Sequence, residues 1–287
     1  MKRTKIFLNG KIRSLDQACI SPLDRGLLYG DGVFESLRTF NGKLFQLNEH
    51  IKRLLAAARQ LKIPRAPSAH DLKQAVLMTL AANNFQETYI KIILTRGLAK
   101  EHGLGSKNVL GKPTLLIIAE KLKPPSAKAY AQGWKAVISS LRRPDLPTSR
   151  LKSLNYLIGV LAKMEAELAG AEESLLLDSR GNLAEGSISN IFIVKHGIVY
   201  TPPLTSPILA GLTRKTVIRL ARQSAIRVVE KNISPKELYT ADECFITFSG
   251  GGVMPVTRIW KKKIGSGRPG SITTSLLSLF WDETKRA

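Results

Sequence analysis

The spacing of apolar residues in the first 120 positions switches between a period of two and a helical period, which predicts a mixture of strands and helices. Two strand-like segments turn at Asn-Gly pairs, and this pair is the strongest short signal for a β-hairpin. Asn48 is a candidate N-cap for the first amphipathic helix. The predicted elements are hairpins at Asn9-Gly10 and Asn41-Gly42, helices over 49–63 and 69–84, and strands over 88–97 and 113–122.

A stretch rich in proline and small residues interrupts this pattern and is predicted to be an interdomain linker. Beyond it, one helix is predicted to begin just before Lys152, with Thr148 or Ser149 as its cap. The other elements predicted there are strands over 135–141, 174–186, 190–202, 226–233 and 243–249, and helices over 213–225 and 272–284. The sequence therefore predicts an α+β chain of two domains. These are a small N-terminal domain over 1–121, a linker over 122–133 and a large C-terminal domain over 134–287.

Composition narrows the possible functions. The 287 residues, of which 44% are hydrophobic, are enough for a sizeable core, and no run of about eighteen apolar residues predicts a spanning helix. The start lacks a signal-peptide pattern and the chain has only two cysteines, so we expect a cytoplasmic protein. The net charge is +22, but the few aromatic residues do not interleave with the basic clusters, so we predict neither a nucleic-acid nor a membrane partner. The four scattered histidines form no helical pair, so we predict no metal site.

Lys152 is the first candidate for chemistry, because it lies among leucines at a predicted helix start. The positive end of a helix dipole and the apolar neighbours would both favour the neutral amine, which is a nucleophile. The alternative is a lysine whose stem covers the leucines while its ammonium reaches water.

Two further stretches supply an anion site and an acid. Gly211, Leu212 and Thr213 stand at a predicted helix start, where free backbone N–H groups and a hydroxyl can bind an anion, although Thr213 is equally suited to be an ordinary cap. Glu185 lies between two strand-like runs, where a solvated carboxylate in a hairpin turn is the alternative. Taken with Lys152, these are the parts that pyridoxal 5′-phosphate (PLP) requires: an amine, a phosphate site and an acid for the ring nitrogen.

Four blocks of the chain, in order, match one family. They are "LLYGDGVFESLRTFNGKLFQLNEHIKRL", "LKSLNYLIGVLAKMEA", "EGSISNIFIV" and "TPPLTSPILAGLTR". With these blocks the sequence resembles the class IV aminotransferases, the fold-type-IV PLP enzymes, over nearly its whole length. Such a fold has a small and a large domain with the cofactor in the crevice between them.

The resemblance assigns roles to individual residues. Lys152 matches the lysine that forms a Schiff base with PLP. Arg53 matches a phosphate ligand, although the helical pattern alone would place it in solvent. The implied cofactor-binding residues are Arg53, Lys152, Tyr156, Glu185, Leu212, Thr213 and Ser249. The residues expected to contact substrate are Phe34, Arg96 and Gly250.

The resemblance also implies the reaction and the assembly. The family moves an amino group between an amino acid and a 2-oxo acid, with the freed lysine amine as general base and acid. It is dimeric, so we expect a homodimer in which residues around 100–106 reach the partner's site.

The four blocks indicate the family more sharply than they indicate which of its members the sequence resembles. Glu35 is the residue type of aminotransferases, and we favour transfer from a branched-chain L-amino acid to 2-oxoglutarate. Ser36 is more typical of aminodeoxychorismate lyases, and Lys100-Glu101-His102 distantly matches the carboxylate-binding motif of D-amino acid enzymes. An amine transaminase and a basic, non-enzymatic binding protein on the same fold are further alternatives. Two basic residues before Lys152 either attract anionic substrates or lie on a solvated loop; they are Arg142 and Arg143.

Overall fold

The structure, a computed structural model, describes residues 4–101, 103–105 and 109–286. These residues form two compact units. The first runs to Lys123 and includes Leu151–Asn155, and the second comprises Pro124–Arg150 and Tyr156–Arg286. The predicted boundaries placed residues 151–155 in the second domain, whereas backbone hydrogen bonds attach this short segment to the first unit.

The first unit is an antiparallel sheet with helices packed on it. The strands are β1 (Lys5–Leu8), β2 (Lys11–Ser14), β3 (Gly32–Phe40), β4 (Lys43–Leu44), β5 (Thr88–Thr95), β6 (Leu98–Ala99), β7 (Val109–Leu110) and β8 (Leu115–Lys121). The helices are α1 (Arg25–Tyr29), α2 (Leu47–Gln60) and α3 (Ala69–Asn83). Six of the strands are hydrogen-bonded in the order β2-β1-β8-β5-β3-β4, and β6 pairs with β7.

The hairpins, helices and strands predicted from local sequence signals form in this unit, with one exception. Both Asn-Gly hairpins form, and all four of their central residues have positive φ angles, as a tight hairpin turn requires. The two helices and the strands β5 and β8 also form where they are predicted. The exception is the start of α2, where Gln46 is the N-cap and Asn48 lies inside the helix. Leu47 is buried in the core of this unit, and the helix begins two positions earlier than predicted.

The second unit is built on a closed ring of strands. The strands of this unit are β9 (Trp134–Arg142), β10 (Glu173–Leu177), β11 (Leu183–Gly186), β12 (Asn190–Lys195), β13 (Ile198–Thr201), β14 (Val228–Glu230), β15 (Glu243–Phe248), β16 (Gly252–Ile259) and β17 (Lys262–Lys263). β11 pairs with β10 on one side and with β12 on the other, so the order β11-β10-β9-β16-β15-β12 returns to β11. The helices of this unit are α4 (Ala127–Gln132), α5 (Leu157–Leu168), α6 (Leu212–Gln223), α7 (Pro235–Tyr239) and α8 (Ser271–Lys285).

Helices pack against several strands of this ring, and β10 and β12 are buried over almost their whole length. α5 packs on β9 and β10 through small residues, since Gly159, Ala162 and Ala166 are buried there. Part of the stretch predicted to be a linker is ordered as α4, where Tyr130 packs edge-on against Trp281. None of the helices in the described ranges is long and apolar enough to cross a membrane.

Candidate active site

Lys152 lies on a short extended segment that pairs with the start of β3. Phe34 N–H donates to the Lys152 carbonyl at 2.9 Å, and Leu154 N–H donates to the Gly32 carbonyl at 3.0 Å. A 3-10 turn over Pro147–Arg150 precedes this segment, and α5 begins only after it. The prediction that Lys152 occupies the first turn of a helix is therefore wrong, because pairing with β3 holds the backbone extended. The helix dipole cannot act on its amine.

The Lys152 side chain lies against an aromatic ring. Its Nζ atom is 4.4 Å from the centroid of the Phe34 ring, and Lys91 Nζ is 4.9 Å from the same centroid. Phe34 is buried, so its ring gives the Lys152 amine an apolar neighbour. The first unit thus supplies a primary amine next to apolar surface.

Arg53 binds a buried carboxylate. Its Nε and Nη2 donate to Glu35 Oε1 and Oε2 at 2.6 and 2.8 Å, and His50 Nδ1 is 2.7 Å from Glu35 Oε2. Burial by itself would raise the pKa of Glu35, but the charge and hydrogen bonds of Arg53, together with His50, outweigh it and lower the pKa to about 2. The Arg53 side chain is 18% exposed, so this firmly held arginine is partly accessible at the surface of this unit.

Arg96, which the resemblance led us to expect at the substrate, makes hydrogen bonds within the protein. Its Nε donates to Asp31 Oδ2 at 2.7 Å, and its two Nη atoms donate to the carbonyls of Leu61 and Lys62 at 2.7 and 2.8 Å. Asp31 also accepts from Arg25 Nε at 2.8 Å. These contacts tie the end of β5 to the end of α2, which is a structural role.

Glu185 is buried in the wall of the strand ring. It stands in β11 opposite Leu176 of β10 and Asn190 of β12, at the point where the ring closes. Arg143 Nε lies 3.0 Å from its Oε1, and Leu209 N–H donates to its Oε2 at 2.8 Å. The interpretation as a solvated turn is therefore wrong. A buried carboxylate with a cationic and a neutral donor is stabilised in its charged form.

Arg143 contacts Glu185, and the sequence did not predict this contact. Its Nη2 donates to the Ser149 carbonyl at 2.7 Å, and its Nε also contacts the Pro207 carbonyl at 3.3 Å. It joins the loop before Lys152, the loop before α6 and Glu185. Arg142, by contrast, is exposed. No local signal separates two adjacent arginines in a loop, because the partner of Arg143 is 42 residues away in sequence.

The predicted anion site does stand at a helix start. α6 begins at Leu212. The N-cap residue, Gly211, has an extended backbone and no side chain that could cap the helix, and Thr213 is buried in the first turn. Helix geometry leaves the N–H groups of a first turn without partners inside the helix. A Cβ atom on Gly211 would lie 2.0 Å from Asn190 Oδ1, so only glycine fits this close approach. The turn thus presents backbone donors that suit a phosphate.

Ser249 and Gly250 form the turn between β15 and β16. Gly251 N–H donates to the Phe248 carbonyl at 3.3 Å, and Tyr130 Oη donates to the Gly251 carbonyl at 2.7 Å. Ser249 and Gly250 are half-buried. A hydroxyl and a residue without a side chain are therefore held in a braced turn.

Tyr156 is the N-cap residue of α5 and is half-buried. A Cβ atom on Gly159 would lie 3.0 Å from a carbon of the Tyr156 ring, so Gly159 makes room for that ring. The residues expected to reach a partner's site fall partly outside the described ranges, since His102 and residue 106 are not included.

Comparison with known proteins identifies the class. A family model described as amino-transferase class IV matches residues 32–259. The architecture is the type IV fold of PLP-dependent enzymes, and the chain belongs to the class IV aminotransferase family. It is accordingly a PLP-dependent aminotransferase, and its substrates are a small-molecule amino acid and a 2-oxo acid. The non-enzymatic alternative is excluded.

Individual relatives cover almost the whole chain. A protein of Methanocaldococcus jannaschii, named "Putative branched-chain-amino-acid aminotransferase", is 42% identical over 97% of this chain and 96% of its own. The D-alanine aminotransferase of Bacillus licheniformis is 34% identical over 98% and 99%. The crystal structure of the Escherichia coli branched-chain amino acid aminotransferase superposes with a TM-score of 0.91 at 31% identity, over 98% of this chain and 94% of that one.

The residues present fit PLP. The first unit offers an amine at Lys152 and a cation at Arg53. The second offers the uncapped start of α6 for the phosphate and the buried Glu185 carboxylate for a protonated ring nitrogen. These groups fit the cofactor, since an amine can react with its aldehyde, cationic and N–H donors suit its phosphate, and a carboxylate suits its protonated ring nitrogen.

Proposed function

We propose that this enzyme transfers the amino group of a branched-chain L-amino acid to 2-oxoglutarate. The observation that carries the proposal is the buried Phe34 ring, 4.4 Å from Lys152 Nζ, which favours an aliphatic side chain beside the reacting amine. The names of the M. jannaschii relative and of the E. coli structure support the same substrate class.

We assign the cofactor contacts residue by residue as the resemblance implies. Lys152 would supply the amine that holds the cofactor, and the Tyr156 hydroxyl would hydrogen-bond the ring oxygen. Glu185 would pair with the ring nitrogen. The phosphate ligands are Arg53, Leu212, Thr213 and Ser249. Phe34 and Gly250 border the substrate, whereas Arg96 supports the fold because its donors bind Asp31 and the end of α2.

PLP, when bound, supplies an aldehyde for the amino group and a ring that withdraws electrons from the substrate α-carbon. With that chemistry supplied, Lys152 Nζ would be the general base and acid that moves the substrate α-proton. Glu185, whose carboxylate is bound by Arg143 and the Leu209 N–H, would keep the ring nitrogen protonated. The Phe34 ring excludes water from one side of the Lys152 amine.

A D-amino acid substrate is the second candidate, because the B. licheniformis relative is named as a D-alanine aminotransferase. The segment that suggested it, Lys100-Glu101-His102, lies partly outside the described residues, so the choice between the two candidates is left to the substrate test below. Ser36, which suggested a lyase, accepts a hydrogen bond from Tyr89 Oη at 2.8 Å and therefore has a structural partner.

The substrate is tested by following the absorbance band of the PLP-loaded protein with L-leucine, D-leucine, L-glutamate and D-alanine in separate cuvettes. We expect L-leucine and L-glutamate to convert the band to the pyridoxamine form and D-leucine to leave it unchanged. The Lys152→Ala variant controls for non-enzymatic exchange. Conversion by D-alanine alone would replace the proposal with the D-amino acid hypothesis. A band that none of the four converts would direct the test to release of pyruvate from aminodeoxychorismate.

We also propose a homodimer and a cytoplasmic location. α5 exposes an apolar stripe, defined by Leu157, Val160, Leu161, Met164 and Leu168, whose members are between 40% and 89% exposed. These residues recur at helical spacing on one face, which suits packing against a second copy of the chain. Location is tested by fractionating cells of the natural source with an antibody against the chain.

A further inference from the structure

We propose that Glu35 and His50 are positioning residues, which fix the Arg53 guanidinium in the orientation that binds the phosphate of PLP. The inference rests on the proposed role of Arg53 as a phosphate ligand. It gives a function to two buried polar residues that contact neither substrate nor cofactor in the scheme above.

The three side chains are brought together by two elements. His50 and Arg53 are three residues apart on α2, which places them on the same face of the helix. Glu35 lies on β3, the strand against which α2 packs. The carboxylate therefore receives both helix side chains from one direction.

The geometry fixes the plane of the guanidinium. Arg53 donates through Nε and Nη2 to the two oxygens of Glu35 at 2.6 and 2.8 Å, which is the two-pronged pairing that gives arginine its directional specificity. His50 Nδ1, at 2.7 Å from Oε2, holds the carboxylate itself. Arg53 thereby loses its rotational freedom before any ligand arrives.

Burial makes a purely structural explanation less satisfactory. Glu35 and His50 are 0% and 2% exposed, and a buried ion pair contributes little more to stability than apolar side chains of similar size. Arg53 is the one member of this cluster that reaches the surface, with 18% of its side chain exposed. The cluster thus anchors an arginine whose side chain is partly exposed.

If Glu35 were only a counter-ion, Glu35→Gln would change the PLP affinity in the opposite direction. If Glu35 only neutralised Arg53, Glu35→Gln would leave a more positive Arg53 and tighten the binding of a phosphate. If Glu35 orients Arg53, the same change breaks one arm of the fork and loosens binding despite the gain in positive charge.

The experiment titrates PLP and pyridoxal, which lacks the phosphate, into the apoprotein and follows the absorbance of the bound ligand. Glu35→Gln is expected to weaken PLP affinity roughly tenfold or more, the size of a lost charge-assisted hydrogen bond, and to leave pyridoxal affinity unchanged. His50→Asn, which keeps a donor near the position of Nδ1, is expected to retain most of the PLP affinity, whereas His50→Leu loses it. The His50 pair also covers the case in which Glu35→Gln does not fold.

Two reference variants complete the design. Glu87→Gln makes the same charge change in another arginine pair of this unit, that with Arg38, and should leave PLP affinity unchanged. Arg53→Lys tests the proposed function on its own, because it should weaken PLP but not pyridoxal.

The outcomes distinguish the phosphate role of Arg53 from the positioning role of Glu35 and His50. If Arg53→Lys leaves the PLP affinity intact, the phosphate role of Arg53 fails. If Arg53→Lys weakens PLP but Glu35→Gln tightens it or has no effect, Arg53 keeps its role and the positioning inference is overturned. Equal losses for PLP and pyridoxal would also overturn it, since they indicate a general disturbance of the unit.

Discussion

Individual residues show how far a side chain's character depends on partners distant in sequence. Glu35 and Glu185 are both buried carboxylates, and each is bound by an arginine on another element: Arg53 on α2 for Glu35, and Arg143 after β9 for Glu185. In the sequence, Glu185 is compatible with a solvated turn and Arg53 with a solvated helix face. The residue types were predictable because the chemistry requires them, whereas their burial and pairing were not.

The pairing of Glu35 predicts a specific pH dependence of stability. Its pKa falls from an ordinary 4.5 to about 2 in the folded protein, so its contribution is complete above about pH 4.5 and is lost as the pH falls toward 2. The shift corresponds to a preference on the order of 3 kcal/mol for the ionised over the protonated form of Glu35 in the folded protein. Urea unfolding of the apoprotein at pH 6.5 and pH 3.5 measures the pH dependence, with Glu35→Gln as the comparison.

Wild type is expected to be the more stable protein at pH 6.5, and its advantage over Glu35→Gln should shrink by about 1 kcal/mol or more at pH 3.5. Other carboxylates titrate in both proteins and cancel in the difference. A stability difference that stays constant between the two pH values would mean that Glu35 titrates normally in the folded protein.

Elements with strong local signals formed where the sequence predicts them, and the failures share one cause. The Asn-Gly hairpins depend on backbone preferences of the turn residues themselves, and α2 and α3 depend on their own apolar faces. The segment at Lys152 has no such local determinant, because its conformation comes from hydrogen bonds to Gly32 and Phe34 more than 100 residues earlier. A run of leucines at near-helical spacing there was misleading.

The start of α6 supports a prediction at this scale. Ala at position 211 would bring its Cβ to 2.0 Å from Asn190 Oδ1, and Asn190 in turn holds the Leu209 carbonyl beside the donor to Glu185. Gly211→Ala should therefore displace the first turn of α6, lowering stability by about 1–3 kcal/mol and weakening PLP affinity. Calorimetry and a PLP titration measure the two effects.

Gly270, the N-cap of α8, is a matched control. A Cβ there would lie 1.9 Å from the Glu243 carboxyl carbon, so Gly270→Ala should destabilise the protein similarly. Only Gly211→Ala is expected to change the PLP affinity. Equal weakening by both variants would show that general destabilisation, and not the α6 turn, limits cofactor binding.

At the scale of the whole molecule, the exposed stripe of α5 bears on assembly. Leu161→Glu combined with Met164→Glu places two charges on the face that we propose to be an interface, so we expect the dimer to dissociate. Light scattering coupled to gel filtration measures the mass of each form against the 31.6 kDa of one chain.

The exposed pair Leu77 and Met78 of α3 provides the comparison, since Leu77→Glu with Met78→Glu makes the same change on another helix. That variant should keep the mass of wild type. A wild-type protein that is already monomeric would refute the dimer, and a dimer unaffected by the α5 changes would place the interface elsewhere.

The sequence by itself determined the residue types that the chemistry needs, the turns, the amphipathic helices and the family, because each is encoded in neighbouring residues or in blocks of fixed order. Only the tertiary structure decided which of those residues are buried and what they bind. Lys152 is extended because β3 pairs with it, Glu185 is enclosed because the strand ring closes at β11 and β12, and Arg143 acts on Glu185 because two loops meet there. Burial and hydrogen-bond partners are properties of the packed chain, and no local pattern carries them.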